Sequence, residues 1–302
     1  MDKGEFAHRD EYLQLNRHRR EDLARARGVL LSGIVALQHS VELLANRYAS
    51  EQDAPNLAAL NCAGCHHDLR SNSWRQEGHP PGIRPGRPRP AIWPEVLATV
   101  GMAQACSTAD EFSNCQSELD ALLEGLNRAV TSRPFGDGRA VRLQARKVYD
   151  FLDEILVAAS SRPFDQRSVR RSLDLLTSPH AGRRLDFDAA RQIGWGTRII
   201  AAEIATGRRG APAVRVDRFS PTSFASGTPG SATLDLFSEM ANLEEMLVLR
   251  LPTGASTSIN RAHQTRALYD YDPQTFREVL AVLHQELQQE LGPGSLTLSS
   301  GK

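Results

Sequence analysis

The residues with the clearest chemical meaning are Cys62, Cys65 and His66, in the run Asn61-Cys62-Ala63-Gly64-Cys65-His66-His67-Asp68-Leu69. Cys-x-x-Cys-His is the attachment signature of haem c. Two thiols three positions apart on one turn reach the two vinyl groups on an edge of a porphyrin. The imidazole that follows is then held beneath the iron as an axial ligand. Ala63 and Gly64 keep that turn small enough to lie against the macrocycle. With 4 Cys and 9 His in 302 positions, chance would produce the pattern about 0.0016 times per chain. A thioredoxin-like dithiol would need a strand before the motif within an alternating βα pattern, which is lacking here. A zinc site would need two more ligands, and Cys106 with Cys115, or a histidine, are the candidates.

The distal ligand decides whether such an iron only carries electrons or also binds a small molecule. His39, His79 and Met102 are the candidates. His39 falls on the helix face opposite the Leu30, Ile34, Leu37 and Val41 stripe, as a solvated histidine or one turned towards a haem outside the helical core. His79 lies in the proline-rich stretch, and Met102 sits among apolar neighbours where packing is the commoner role. His67 adjoins His66 and so cannot reach the same iron; a propionate or a second haem is within its range. His8, His18, His180, His263 and His284 read as surface residues. Arg70, Arg75, Arg84, Arg87 and Arg89 crowd the stretch after the motif, where guanidinium can pair with anionic propionates. Trp74 and Trp93 are candidates to cover the porphyrin face. Cys106 and Cys115 read as buried reduced thiols, with a disulfide between neighbouring helices as the alternative.

The elements that must position these groups are mostly α-helical. Apolar residues at Leu30, Ile34, Leu37, Val41, Leu44 and Tyr48 predict a long helix over 23–48. Residues 61–94 hold six prolines and four glycines and have no period, which predicts an attachment loop. Helices are expected over 94–105, from the Thr108/Glu111 capping box through Phe112, Cys115, Leu119, Leu122, Leu126 and Val130, and over 139–160, 165–177 and 186–206. A Gly/Ser/Pro-rich connector covers 207–233, and a further helix is predicted over 234–249. Asp272-Pro273 opens the last helix, with Phe276, Val279, Leu280, Leu283, Leu287 and Leu291 inward. Short strands are conceivable at 214–216 and 246–251. The expected organisation is a helix and haem-binding region over 1–94 and a helical C-terminal region over 95–302.

Composition sets outer bounds. Lys plus Arg and Asp plus Glu are each 36, so the net charge is zero, which argues against a nucleic-acid partner held by overall charge. The basic residues are almost all arginine. The longest apolar run, 28–37, is interrupted by Ser32, so no transmembrane segment is expected. Residues 1–27 are charged throughout and do not read as a secretory signal.

Residues 62–76, Cys-Ala-Gly-Cys-His-His-Asp-Leu-Arg-Ser-Asn-Ser-Trp-Arg-Gln, with the Gly/Arg/Pro loop and Trp93-Pro94, resemble the C-terminal haem region of bacterial multihaem c-type cytochromes similar to the tetrahaem cytochromes of ammonia oxidation. Asp188-Ala189-Ala190-Arg191-Gln192 and Tyr271-Asp272-Pro273 resemble the tail of such proteins. The resemblance implies periplasmic electron transfer, Cys62 and Cys65 as attachment points and His66 as proximal ligand. Such relatives carry several attachment motifs where this chain has one, so the expectation is the C-terminal portion of a longer cytochrome. The expected function is one-electron transfer to redox protein partners or neighbouring haems. The alternatives are a haem enzyme or sensor with an open distal side, acting on a peroxide or nitrogen oxide, and a haem-bearing interaction module.

Overall fold

The computed structural model describes residues 23–48, 60–61, 89–91, 93–133, 136–178, 186–206, 247 and 271–291. These form seven helices: α1 (Ala24–Arg47), α2 (Glu95–Met102), α3 (Ala109–Thr131), α4 (Gly138–Ser161), α5 (Gln166–Thr177), α6 (Phe187–Thr206) and α7 (Pro273–Leu291). The mostly α reading holds, and each helix lies within a few residues of its predicted span. Among the described residues the only β pairing is an isolated antiparallel bridge between Leu60 and Pro90. Apart from Leu247, which is buried, the connector, the 234–249 helix and both short strands expected from sequence lie outside the described residues.

The centre of the molecule is α1. Leu30, Ile34, Leu37, Val41 and Leu44 are all buried, and the helix packs on α4, α2 and α6. Leu23 precedes the helix and has no side chain able to cap it. The carboxylate of Glu203 on α6 does so from a distance, accepting the amides of Arg25 at 3.1 Å and Ala26 at 2.7 Å. An acid at a helix N-terminus satisfies orphan amides and opposes the positive end of the dipole. Arg27 is buried but not stranded: Nη2 donates to the Ser160 carbonyl at 2.9 Å, and the guanidinium lies 4.9 Å from the Phe164 ring centroid. Gln38 is fully buried and donates to Asp153 at 3.2 Å. By length and composition α1 is apolar enough to cross a membrane, although sequence showed only an interrupted run; here half of its most apolar window is buried within the helical assembly.

The short helix α2 touches α1, α3, α4, α5 and α6. Its contact with α1 is a backbone-level crossing. A Cβ on Gly33 would lie 2.5 Å from Cβ and 2.7 Å from the carbonyl carbon of Leu97, and a Cβ on Gly101 would run into the Leu30 carbonyl oxygen. Two glycines, one from each helix, therefore set the separation. Leu97, Ala98, Val100 and Met102 are buried around the crossing. Residues on both sides of position 94 share one hydrophobic core.

Side-chain caps start the remaining helices, and Thr108 and Asp272 are the two that sequence placed. Thr108 accepts the Glu111 amide at 3.1 Å, while Glu111 reaches back to the Ser107 amide at 2.6 Å, one residue before the usual capping-box partner. The Ser107 amide above all, with the Thr108 amide and the Arg162 charge, holds the Glu111 carboxyl below the usual range. Asp137, Asp165 and Asp272 cap α4, α5 and α7. Gly136, with φ of 84°, makes the turn into α4 that a side chain would oppose. On α3 the buried line runs through Phe112, Leu119, Leu123, Leu126 and Val130, with Cys115 and Leu122 on its flank. Leu123, four residues after Leu119 and three before Leu126, continues that face better than Leu122. His284 is a correction to the surface reading: it is half-buried between α5 and α7, its Nδ1 2.8 Å from Thr177 Oγ1.

Two outcomes follow for stability. Gly33→Ala forces the α1–α2 crossing apart and is expected to lower unfolding free energy by about 1–3 kcal/mol. Gly28→Ala on the same helix meets nothing within 4 Å and is expected to gain about 0.5–1 kcal/mol from helix propensity; urea denaturation of the two variants checks both signs. Burial also lowers the pKa of His284. As pH falls through about 6.5 the unfolded chain binds a proton before the folded one, so stability falls with acidification. Thermal melts between pH 7.5 and 5 should show a shallower acid loss in His284→Gln than in the parent.

Candidate haem attachment site

Cys62, Cys65, His66, His67, Arg70, Trp74, Arg75, His79, Arg84 and Arg87 lie outside the described residues. The structure does describe the residues that flank this segment on both sides. Leu60 pairs with Pro90, and the Asn61 amide donates to the Arg89 carbonyl at 2.7 Å. The chain entering 62–88 is thus clasped to the chain leaving it, directly before Cys62. Closing both ends of a long connection at one neck reduces the number of arrangements open to the chain between them.

The neck is fastened to the helices at two points. On α1, Ser40 Oγ donates to the Ala91 carbonyl at 3.0 Å. At the start of α6, Asn61 Nδ2 donates to Asp186 Oδ2 at 3.4 Å. Asp186 also caps α6, accepting the Ala189 amide at 2.8 Å. Burial raises the Asp186 carboxyl above its usual range, helped by the Asp188 charge; the bond to Ala189 and the positive charge of Arg89 oppose that rise. Arg89, one of the arginines read as propionate partners, therefore has an acid beside it already.

Beneath the neck lies an aromatic cluster. Tyr271 meets Phe187 edge to face, ring centroids 5.6 Å apart, and Phe276 at 6.2 Å. Burial, with the neighbouring Asp186 charge, pushes the Tyr271 phenol well up. The starts of α6 and α7, distant in sequence, thus come together under the entry to the motif.

Of the distal-ligand candidates, Met102 is fully buried at the α1–α2 crossing and serves packing. His39 is exposed on α1, next to the Ser40 that holds the neck. Its Nδ1 lies 2.7 Å from Glu42 Oε2. A carboxylate on one ring nitrogen fixes the tautomer and orientation of an imidazole that ligates through the other. That donor set suits an axial ligand to haem iron. Trp93, two residues past Ala91, is 38% exposed. Cys106 and Cys115 are both free thiols, the first buried and the second half-buried. Among the described residues no group of three or more His, Cys, Asp or Glu side chains could hold a metal ion.

Sequence reasoning passed over Glu42, Ser40, Asn61 and Asp186. His-x-x-Glu at helical spacing was available as a signal for the first. Nothing local marks the ties of the other three to the neck, whose partners stand 51 residues away for Ser40 and 125 for the Asn61–Asp186 pair.

Asp186→Ala removes the α6 cap and the tie to the neck together and is expected to cost about 1–2 kcal/mol. Asp186→Asn keeps an oxygen for the Ala189 amide and should cost less than half of that by urea denaturation. Comparison with protein-family models, with curated proteins and with solved structures finds no match for this chain.

Proposed function

We propose that the chain is a c-type cytochrome with one covalently attached haem, transferring single electrons to redox protein partners or neighbouring haems. The observation that supports this best is the placement of the Cys62–Cys65–His66 motif directly after a clasped neck docked beside His39. Haem in this setting supplies a one-electron couple between Fe(III) and Fe(II).

The chain's own residues have divided tasks in this reading. Cys62 and Cys65 would hold the haem through their thiols, and His66 would ligate its iron. Arg70 and Arg75 would pair with the haem propionates, as guanidinium does with carboxylate. Trp74 and Trp93 would cover the ring face, and Trp93 is partly exposed ahead of α2. His39 is favoured over His79 as distal ligand, because Glu42 already engages its Nδ1 and the neighbouring Ser40 holds the neck. Glu42 then holds the ring proton on Nδ1 and leaves Nε2 to the metal. The resemblance of residues 62–76 to multihaem c-type cytochromes supports a periplasmic setting within a multihaem assembly.

The test is the intact mass of the chain after expression with a haem-c maturation system. One added haem that survives acid–acetone extraction is expected, and Cys62→Ala with Cys65→Ala should abolish it. A colourless product, or pigment that washes out, overturns the proposal. The parent should show a low-spin spectrum indifferent to CO, and His39→Ala should become high-spin and bind CO. A parent that binds CO would instead favour the enzyme or sensor reading, with an open distal side.

A further inference from the structure

The corner between α2 and α3 carries the two cysteines that the attachment motif does not use. Cys106 closes the turn after α2, its thiol donating to the Met102 carbonyl at 3.4 Å. Cys115 lies on the second turn of α3. The α3 cap sets their register: Glu111 reaches back to the amide of Ser107, the residue after Cys106. The helix face bearing Glu111 therefore looks onto the turn, and Cys115, four residues on, shares that face. Burial first, and the neighbouring Cys115 thiol second, push the Cys106 thiol up to about 12.

The turn is clamped from outside as well. Arg171 Nη1 donates to the Cys106 carbonyl at 3.1 Å, and Gln104 Nε2 donates to the Ser168 carbonyl at 3.1 Å. Arg162 Nη1 donates to Ser107 Oγ at 2.8 Å. Helix α5 and the residues before it thus hold Cys106 in place against α3. Arg171 also brings a positive charge that favours the Cys106 thiolate.

We propose that Cys106 and Cys115 form a redox-active pair that closes to a disulfide by exchange with a small-molecule or protein disulfide. Cys115 is the more accessible thiol and reacts first. It gives up its proton, and its thiolate attacks one sulfur of the oxidant, breaking that S–S bond and releasing a thiolate that takes a proton. Cys106 then gives up its proton and attacks the Cys115 sulfur, which expels the second oxidant thiolate. Two protein thiols are oxidised, one disulfide is reduced to two thiols, and both protons end on the leaving groups. Burial of Cys106 makes the second step the slow one. The bond ties the end of α2 to α3, and the pair is separate in sequence from the dithiol that the proposed haem attachment consumes.

The full-length protein, equilibrated with oxidised glutathione, quenched in acid and alkylated, is digested with proteases that cleave at Asp and Glu. Asp110 and Glu111 lie between the two cysteines, so the fragments separate unless a disulfide joins them. A linked Cys106–Cys115 fragment is expected, lost on reduction and absent from Cys115→Ser. Separate alkylated fragments, a lasting glutathione adduct on Cys115, or bonds to Cys62 or Cys65 would each overturn the pairing. The readout is independent of haem, so failure here is distinguishable from failure of the cytochrome proposal.

Discussion

The crossing of α1 and α2 is the constraint on which the rest of the structure depends. Two helices approach at backbone level only where side chains are missing from both, and Gly33 and Gly101 supply those gaps. That approach lets an eight-residue helix, too short to be stable alone, bury Leu97, Val100 and Met102 among five neighbours. It also sets the neck, because Ala91 and Trp93 lie just ahead of α2 and Ser40 of α1 receives Ala91. Displacing α2 would move residues 89–91, and with them the neck, relative to His39.

Polar groups within the core work as ties between remote parts of the chain. Glu203 caps α1 from α6, Arg27 joins α1 to the end of α4, and Asp186 both starts α6 and holds Asn61. Each is a buried or largely buried charge that gains its stabilisation from hydrogen bonds which leave few unmade partners. The same logic governs the proposed haem site. A covalently tethered cofactor needs an attachment segment whose ends do not wander, and the Leu60–Pro90 bridge with the Asn61–Arg89 bond provides that at the neck. Covalent attachment and a clasped neck address the same cost, the entropy of ordering a long connection around a ligand.

His39 illustrates how context changes the meaning of a residue. From periodicity alone it sits on the outer face of a helix, where a solvated histidine is the ordinary case. In the fold its Nδ1 is engaged by Glu42 and its neighbour Ser40 carries the neck. Those two contacts make it the favoured distal candidate in the proposed reading. Cys106 and Cys115 show the same effect. Their spacing is uninformative along the chain, whereas the reach of Glu111 to Ser107 brings their helix face and turn together.

What the chain encoded locally was readable locally. The attachment signature depends on three residue types at fixed spacing, and the helices announce themselves through 3.6-residue periodicity and through Thr108 and Asp272 at their starts, each bonding an amide two or three positions away. The start of α1 had no such mark, because its cap is Glu203, 177 residues distant from Ala26. Tertiary structure alone decided that cap, the neck and its Asp186 anchor, the half-burial of His284, the choice of Leu123 over Leu122 on α3, and the inclusion of α1 in the same core as the C-terminal helices. The physical reason is common to all of these. Hydrogen bonding and burial act on distance in space, and only a folded backbone brings residues that are far apart in order within reach of one another.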